Sequence, residues 1–333
     1  MTSATAIQDE IARTDVQHAL DVQCPRCTCH LGQIPNPEKD SDACFFCSLC
    51  GFELACVSGI WNALPQEREK YFGQFVSQYQ TVRAAEGRGS PESKYYLQLP
   101  YHDVTGRNSW QWSIRAKSFR YLQHAILPSL ETRCTSSLNV LDLGAGNGWL
   151  SYRIALCGHY PVAVDLLINS SDGLGSAVHF GRKLRVLFPR FRAELDHLPF
   201  CDSQFDVAIF NASFHYSEDY ERTLAEAARC LRPSGVIIIA DTPWYSNDAS
   251  GSQMLAERHS AFESRYGFAS NSIASLEYLT DQRLKQLEQR FEIRWQIHSP
   301  FYGMRWAMRP WLAKLRRKRE PSRFRIYVAT VCK

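Results

Sequence analysis

The chain has 333 residues, of which 45% are hydrophobic and 22% charged, a composition typical of a globular protein with one large domain and a smaller one. Its longest aliphatic run, residues 236–240, is far too short to span a bilayer, so an integral membrane protein is not expected. The first twenty residues mix acidic, basic and small side chains, which predicts no secretory signal and favours a cytoplasmic location.

The net charge of +4 is unevenly distributed along the chain. Residues 1–60 carry three Lys or Arg against eight Asp or Glu, whereas residues 303–325 carry nine Lys or Arg against a single acid. The basic segment 303–325 predicts an anionic partner, such as RNA, a lipid surface or an acidic substrate, and a solvated basic loop is the alternative.

The N-terminal part divides into a lead over residues 1–20 and a cysteine-rich module over residues 21–64. Seven of the twelve cysteines fall between positions 24 and 56. A secreted disulfide scaffold would spread its cysteines through the fold, so this clustering indicates a metal site.

Two C-x-x-C motifs separated by nineteen residues supply four thiolates that can surround a structural zinc ion, namely Cys24, Cys27, Cys47 and Cys50. Cys44 forms a further C-x-x-C with Cys47, but Gly51 after Cys50 favours the second pair because such a turn needs a glycine. Nearby residues that leave the ligand choice open are Cys29, His30 and Cys56.

The cysteine-rich module resembles known zinc ribbons through two stretches, VQCPRCTCHLG and CSLCGFELACVSGIWNAL. Similar ribbons form the activator subunit of several RNA and protein methyltransferases and the N-terminal module of bacterial large-subunit rRNA guanine methyltransferases. Because such ribbons also occur on methyltransferases of unknown substrate, the resemblance does not fix the target.

Residues 65–137 are predicted to form a helical linker and a lid over an active site. A helix is expected over 65–85, a turn-rich linker over 86–91, and a second helix over 110–127 that Pro128 closes. The face of the first helix is defined by Tyr71, Phe75, Tyr79 and Val82.

Residues 138–333 alternate between strand-like and helix-like segments, which predicts a doubly wound α/β domain with a seven-stranded, mostly parallel sheet. Strands are expected near residues 138–143, 161–165, 191–195, 205–210 and 236–241, with two late edge strands near 291–297 and 324–332. Helices are expected near residues 147–157, 173–187, 217–231 and 274–290.

The segment LNVLDLGAGNGW, residues 138–149, places Asp142 two residues before a G-x-G-x-G turn. Glycines there permit a tight turn and a close approach of the backbone to a ligand. Over residues 138–242 the chain resembles class I S-adenosylmethionine-dependent methyltransferases. The resemblance implies that Asp142, Gly144 and Gly146 lie beside the methionine moiety and that Asp165 accepts both ribose hydroxyls.

Further motifs carry the same resemblance. AELDHLPFCDSQFD, residues 193–206, implies that Glu194 and the Leu195 backbone lie near the adenine, although Ala-Glu replaces the usual Gly-Asp. LAEAARCLRPSGVIIIAD, residues 224–241, resembles the helix, Pro-x-Gly turn and fifth strand of these enzymes. Asn211, which ends the fourth strand, is a further expected cofactor contact.

The acceptor side is predicted to begin at residues 211–216, NASFHY. Enzymes that methylate amino nitrogens carry two prolines here, and their absence favours a pattern like that of small-molecule methyltransferases. His215 is the candidate general base because its ordinary pKa lies near neutrality, and a packing or cofactor-adjacent histidine is the alternative. Candidate substrate contacts, for which core packing is the alternative, are Tyr101, His102, Trp112, Arg115, Tyr216 and Trp244.

Three functions fit the sequence. The first is methyl transfer to oxygen or carbon of a small metabolite, such as a natural product or an isoprenoid-like acceptor. The second is an RNA methyltransferase, which the acidic charge of the ribbon disfavours. The third is a non-catalytic activator or scaffold that retains the fold.

Overall fold

The computed structural model describes residues 20–34, 43–134 and 137–331, so nearly all of the predicted lead lies outside the described residues. The strands are β1 Leu20–Gln23, β2 His30–Ile34, β3 Cys44–Phe46, β4 Glu53–Val57, β5 Ile60–Asn62, β6 Asn139–Leu143, β7 Tyr160–Asp165, β8 Arg190–Arg192, β9 Phe205–Asn211, β10 Leu231–Ala240, β11 Gln296–His298 and β12 Ile326–Thr330. The α-helices are α1 Gln66–Ala85, α2 Ser93–Gln98, α3 Ser109–Tyr121, α4 Leu127–Cys134, α5 Trp149–Leu156, α6 Tyr220–Cys230, α7 Asp248–Tyr266, α8 Asp281–Phe291, α9 Met304–Ala307 and α10 Arg309–Leu315.

Strands β6 to β12 form the predicted seven-stranded, mostly parallel sheet, in the order β11-β12-β10-β9-β6-β7-β8. The four pairings between β10 and β8 are all parallel, whereas β12 runs antiparallel to both β10 and β11. Every residue of β6 is buried, as is the aliphatic stretch of β10, because helices cover both faces of the parallel part. This arrangement confirms the predicted fold class.

The cysteine-rich module extends this sheet at its β8 edge. Strand β5 pairs parallel with β8, where Trp61 lies opposite Phe191, and β4 and β3 follow as antiparallel strands. Strand β1 contacts the same region, because Gln23 N donates to Pro199 O at 3.0 Å. The module and the large sheet therefore share one apolar core.

Three predicted helices differ from the observed ones. Pro128 does not close a helix: a π-helical turn over Leu122–Ile126 continues α3 directly into α4, and the chain stays helical through the proline. The helix predicted over 173–187 is a 3-10 helix over Leu174–Arg182, and a Cβ on Gly173 would lie 2.6 Å from a backbone oxygen. That close packing leaves little room for a wider turn.

Helix α8 begins seven residues later than predicted. Thr280 caps it by accepting a hydrogen bond from Arg283 N, and the residues before it bond to neighbouring loops instead. Glu277 N, for example, donates to His215 O at 2.7 Å, which fixes that backbone outside a helix. Helix α7 was not predicted, because only Gly251 of its nineteen residues is buried and no apolar stripe marks it.

Within the described ranges, 20–34, 43–134 and 137–331, no helix combines the length and the apolar character that crossing a membrane requires.

Candidate functional site

A glycine turn joins β6 to α5 and forms the floor of a cavity. Gly144, Gly146 and Gly148 all have positive φ, at +76°, +55° and +76°. A Cβ on Gly144 would lie 2.3 Å from the Cβ of Ser213, so no side chain fits there. A Cβ on Gly146 would meet nothing closer than 3.8 Å, so a side chain there would enter the cavity that the turn lines.

We call this space the glycine-turn cavity. It encloses about 850 Å³ of empty space, part of it open to solvent, at the carboxyl ends of β6, β7 and β9. Ligands bind at this edge in open α/β sheets. Its lining includes the predicted cofactor contacts Asp142, Gly144, Gly146, Asp165, Leu195 and Asn211.

Asp165 ends β7 and holds the glycine turn. One carboxylate oxygen accepts from Gly146 N at 2.7 Å, and the other accepts from Leu167 N at 2.8 Å. Burial raises the pKa of this carboxyl above its ordinary value, which the two backbone N–H groups partly offset. Since a carboxylate offers about four acceptor sites, the side chain retains capacity for two further donors.

Asp142 lies at the end of β6 and is only 1% exposed. Its carboxylate accepts from Ser151 Oγ at 2.7 Å and from Ser151 N at 3.1 Å. Burial raises the pKa of Asp142 to about 7, so the apo protein holds this group near its titration point at neutral pH.

Glu194, predicted to lie near the adenine, does not line the cavity. Its buried carboxylate accepts hydrogen bonds from the Arg68 guanidinium of α1, the shortest at 2.6 Å. The chain neighbours Ala193 and Leu195 line the cavity instead, because successive side chains of an extended segment point in opposite directions.

Helix α1 contributes one wall of the cavity through Phe75, Tyr79 and Arg83. The Phe75 and Tyr79 rings lie 6.0 and 5.7 Å from the ring of Tyr216, and Arg83 forms an ion pair with Asp172. The sequence predicts the aromatic face of α1, but no local sequence pattern indicates which surface that face covers.

Arg115 of α3 also lines the cavity, and its guanidinium has no hydrogen bond or ion pair with any residue that the structure describes. Its guanidinium lies over the Trp112 ring, 5.0 Å from the centroid. Burial, together with repulsion from Arg88 and Arg83, lowers the pKa of Arg115 to about 10, so the group is cationic at pH 7.

Of the six predicted substrate contacts, only Arg115 and Tyr216 line the glycine-turn cavity. Tyr101 and His102 are exposed and contribute to neither cavity described in this section. Trp112 is buried against Trp149, with ring centroids 5.9 Å apart, which is the core-packing alternative. Trp244 is likewise buried, and its indole N–H donates to Asp281 at 3.0 Å.

His215 lies between two cavities. The adjacent Tyr216 lines the glycine-turn cavity, whereas His215 lines a second one, and their ring centroids are 4.3 Å apart. Nδ1 of His215 is buried without a hydrogen-bond partner, and burial lowers the pKa of the imidazole to about 4. The side chain is therefore neutral and a weak base at pH 7, and its role as general base stays a prediction.

The second cavity, which we call the basic cavity, lies between α7 and the segment 303–325, and encloses about 1370 Å³ including open solvent. That segment connects β11 to β12, as predicted, and folds into α9, α10 and a loop. The charged lining residues are Glu257, Arg258, Glu277, Arg309, Arg317, Lys318 and Arg319.

The four cysteines proposed as metal ligands come together in the ribbon. Cys24 Sγ lies 3.4 Å from Cys50 Sγ, Cys27 Sγ lies 3.4 Å from Cys47 Sγ, and all four sulfurs lie within 4.8 Å of one another. Zinc bonds of about 2.3 Å would give tetrahedron edges of about 3.8 Å, which these positions fit.

The turns that carry the cysteines match the expected geometry. Gly51 has φ +69° and donates its N–H to Cys47 O at 2.9 Å, as a tight turn after the second C-x-x-C requires. Thr28 adopts φ 59° in the corresponding position of the first turn. Cys44 lies outside the group of four, with its Sγ 3.3 Å from a carboxylate oxygen of Glu53.

Comparison with known proteins agrees with this site. Residues 141–239 match the methyltransferase domain family. The chain is 30% identical over 117 residues to the malonyl-[acyl-carrier protein] O-methyltransferase of Geobacter sulfurreducens, covering 34% of this chain and 42% of that protein. It is 32% identical over 110 residues to the demethylmenaquinone methyltransferase of Mycobacterium sp. (strain KMS), covering 33% and 44%. The chain thus spans less than half the length of these curated relatives.

One similar solved structure is the 1,6-didemethyltoxoflavin-N1-methyltransferase of Burkholderia thailandensis, with a TM-score of 0.45 and 18% identity over 84% of this chain and 96% of that chain. The family match and the strand order of the sheet define the class. Residues 141–239 match the methyltransferase domain family, and this match and the strand order bear out the predicted resemblance to class I S-adenosylmethionine-dependent methyltransferases.

Proposed function

We propose that this protein transfers a methyl group from S-adenosylmethionine to a small-molecule acceptor in the glycine-turn cavity. The observation that carries the proposal is the convergence of Asp165 and the turn at Gly146 on one cavity at the carboxyl edge of the sheet. The relatives named above act on small or carrier-bound acceptors by their names, which supports the same class here.

The residues of the cavity fit the parts of S-adenosylmethionine. Asp165 would accept the ribose hydroxyls with its remaining lone pairs, and the glycine turn would let the backbone approach the methionine moiety. The adenine would lie between apolar side chains, Leu166 and Leu195, which face the same space. Arg115, a cavity cation without an anionic partner among the described residues, would suit a carboxylate.

S-adenosylmethionine supplies a methyl group that its sulfonium already activates, so the protein mainly binds and orients the reactants. Asn211 ends β9 and Tyr216 follows it, and both line the cavity, where they would limit how the acceptor approaches. The aromatic wall formed by Phe75, Tyr79 and Tyr216 would pack against an apolar or planar acceptor and exclude water. Oxygen or carbon methylation of a natural product or an isoprenoid-like metabolite fits this wall.

The ribbon is proposed to hold one structural zinc ion through Cys24, Cys27, Cys47 and Cys50. Four thiolates close the coordination sphere and leave no open position, so this metal would stabilise the ribbon and take no part in methyl transfer. Because β5 pairs with β8, the metal would also support the edge of the sheet beside the cofactor cavity.

Isothermal titration calorimetry of the purified protein with S-adenosylhomocysteine tests the proposed cofactor. We expect a single site per chain with micromolar affinity, and the absence of detectable heat at 100 µM would reject the proposal. Gly146→Asn is the matched variant, since asparagine tolerates the positive φ at this position and its side chain would enter the cavity and block the ligand.

A further inference from the structure

The basic cavity holds more positive charge than its own acids can neutralise. Arg258 pairs with Glu277 at 2.6 Å, and Arg319 pairs with Glu257 at 2.6 Å. These two pairs account for both carboxylates among the lining residues. Three lining cations remain without a hydrogen bond or ion pair from their side chains to any described residue, namely Arg309, Arg317 and Lys318.

Arg309 is the strongest indication that an anion belongs there. It lies in the first turn of α10 and packs over the Trp306 ring, 4.0 Å from the centroid, so its guanidinium is held in place. Its Nη1 atom is buried and has no hydrogen-bond partner. A buried guanidinium N–H without a partner destabilises the fold, because it has lost its hydrogen bonds to water. An anionic oxygen would accept the strongest hydrogen bond from it.

The basic cavity adjoins the reaction site. His215 lines it, and the next residue, Tyr216, lines the glycine-turn cavity. The two cavities are therefore neighbours on either side of the His215 and Tyr216 rings. An acceptor that occupied both spaces would hold its charged end in the basic cavity and its reacting end in the glycine-turn cavity.

We infer that the basic cavity binds an anionic oxygen group of the methyl acceptor, a carboxylate or a phosphate, through Arg309, Arg317 and Lys318. The inference rests on the proposed function and narrows its acceptor to small molecules that carry such a group. Arg309 supplies the partly buried contact, while the exposed Arg317 and Lys318 border the opening and attract the anion.

The inference is tested by titration calorimetry with two probes, malonate and inorganic phosphate, at low ionic strength. Sodium chloride at the same ionic strength is the reference. We expect one probe to bind in the millimolar range, and the stronger of the two identifies the group. Arg309→Gln and Arg317→Gln should each lower the affinity for that probe at least fivefold. Arg316→Gln removes a neighbouring exposed charge outside the cavity and should leave it unchanged.

The inference is overturned if neither probe binds more strongly than chloride, or if Arg316→Gln weakens binding as much as Arg317→Gln does. Because Arg317 is exposed, its variant keeps the test valid even if Arg309→Gln fails to fold. S-adenosylhomocysteine affinity is measured on the same samples. If it is retained while probe binding is absent, the inference fails alone, whereas its absence from the wild-type protein rejects the proposed function.

Discussion

Arg68 and Glu194 form a two-pronged ion pair that ties helix α1 to the segment after β8. The Arg68 Nε lies 3.0 Å from each carboxylate oxygen, and Nη2 lies 2.6 Å from one of them. This pair fixes α1 so that Phe75, Tyr79 and Arg83, farther along the helix, reach the glycine-turn cavity. An acid that the sequence suggested for adenine binding thus holds the wall of the cavity instead.

Arg68→Leu is expected to lower the free energy of unfolding by about 1–3 kcal/mol, because Glu194 would remain buried without its guanidinium partner. Urea unfolding measures the change. The double variant Arg68→Leu with Glu194→Leu should lose less than the sum of the two single variants. Strict additivity would show that the pair does not couple the two elements.

Asp165→Ala is expected to weaken S-adenosylhomocysteine binding by about 2–3 kcal/mol, which corresponds to roughly 30-fold to 150-fold. The hydrogen bonds to the ribose would be lost together with those that hold Gly146 N and Leu167 N, and Asp165→Asn, which keeps one carbonyl acceptor, should lose less. Calorimetry gives the affinities, with the exposed Asp202→Ala as the control. Equal affinity of Asp165→Ala and the wild type contradicts the proposed ribose contact.

Replacing Cys24 and Cys47 together by serine is expected to remove zinc from the purified protein and to lower its thermal stability, since the ribbon would lose the metal that supports its fold. Cys44→Ser is the matched control and should retain one zinc per chain. Elemental analysis by plasma mass spectrometry decides the point. Wild-type protein without zinc, or a double variant that keeps it, would overturn the assignment.

Asp142 should make stability fall as pH rises. Its pKa is about 7 in the folded protein and lower when unfolded, so the stability it contributes is complete below about pH 4 and is lost as pH rises through 7. Asp142→Asn keeps an oxygen acceptor for Ser151 without the charge. The free energies of unfolding of both proteins are measured without cofactor. As pH rises from 4 to 8, the wild type should lose stability relative to the variant. A difference that stays constant with pH would show that the carboxyl is not perturbed.

Local sequence patterns were sufficient to predict the sheet and the glycine turn, because these features depend on short-range regularities. Buried aliphatic runs specify the parallel strands, and the spacing around Gly144 and Gly146 specifies the turn. The second C-x-x-C at Cys47 was favoured because of Gly51, whose positive φ the structure shows.

The cavity walls could not be predicted in the same way, because they depend on contacts between distant residues. Arg83 and Asp172 are separated by 89 positions, and no local pattern links them. Trp112 and Trp244 lie in aromatic segments that suggest substrate binding, but both are buried, Trp112 on α3 and Trp244 in a loop that pairs with Leu279 and Arg323. Composition identified aromatic segments without indicating which side chains face a ligand.

The central claim is tested most directly by supplying methyl-labelled S-adenosylmethionine to the protein together with a small-molecule extract or, separately, with total RNA from the same cells. Mass spectrometry then follows the label in each fraction, with Gly146→Asn as the inactive control. The account predicts label in small molecules that carry a carboxylate or phosphate, and none in RNA. Label in RNA alone, or no transfer with either fraction despite cofactor binding, would contradict it.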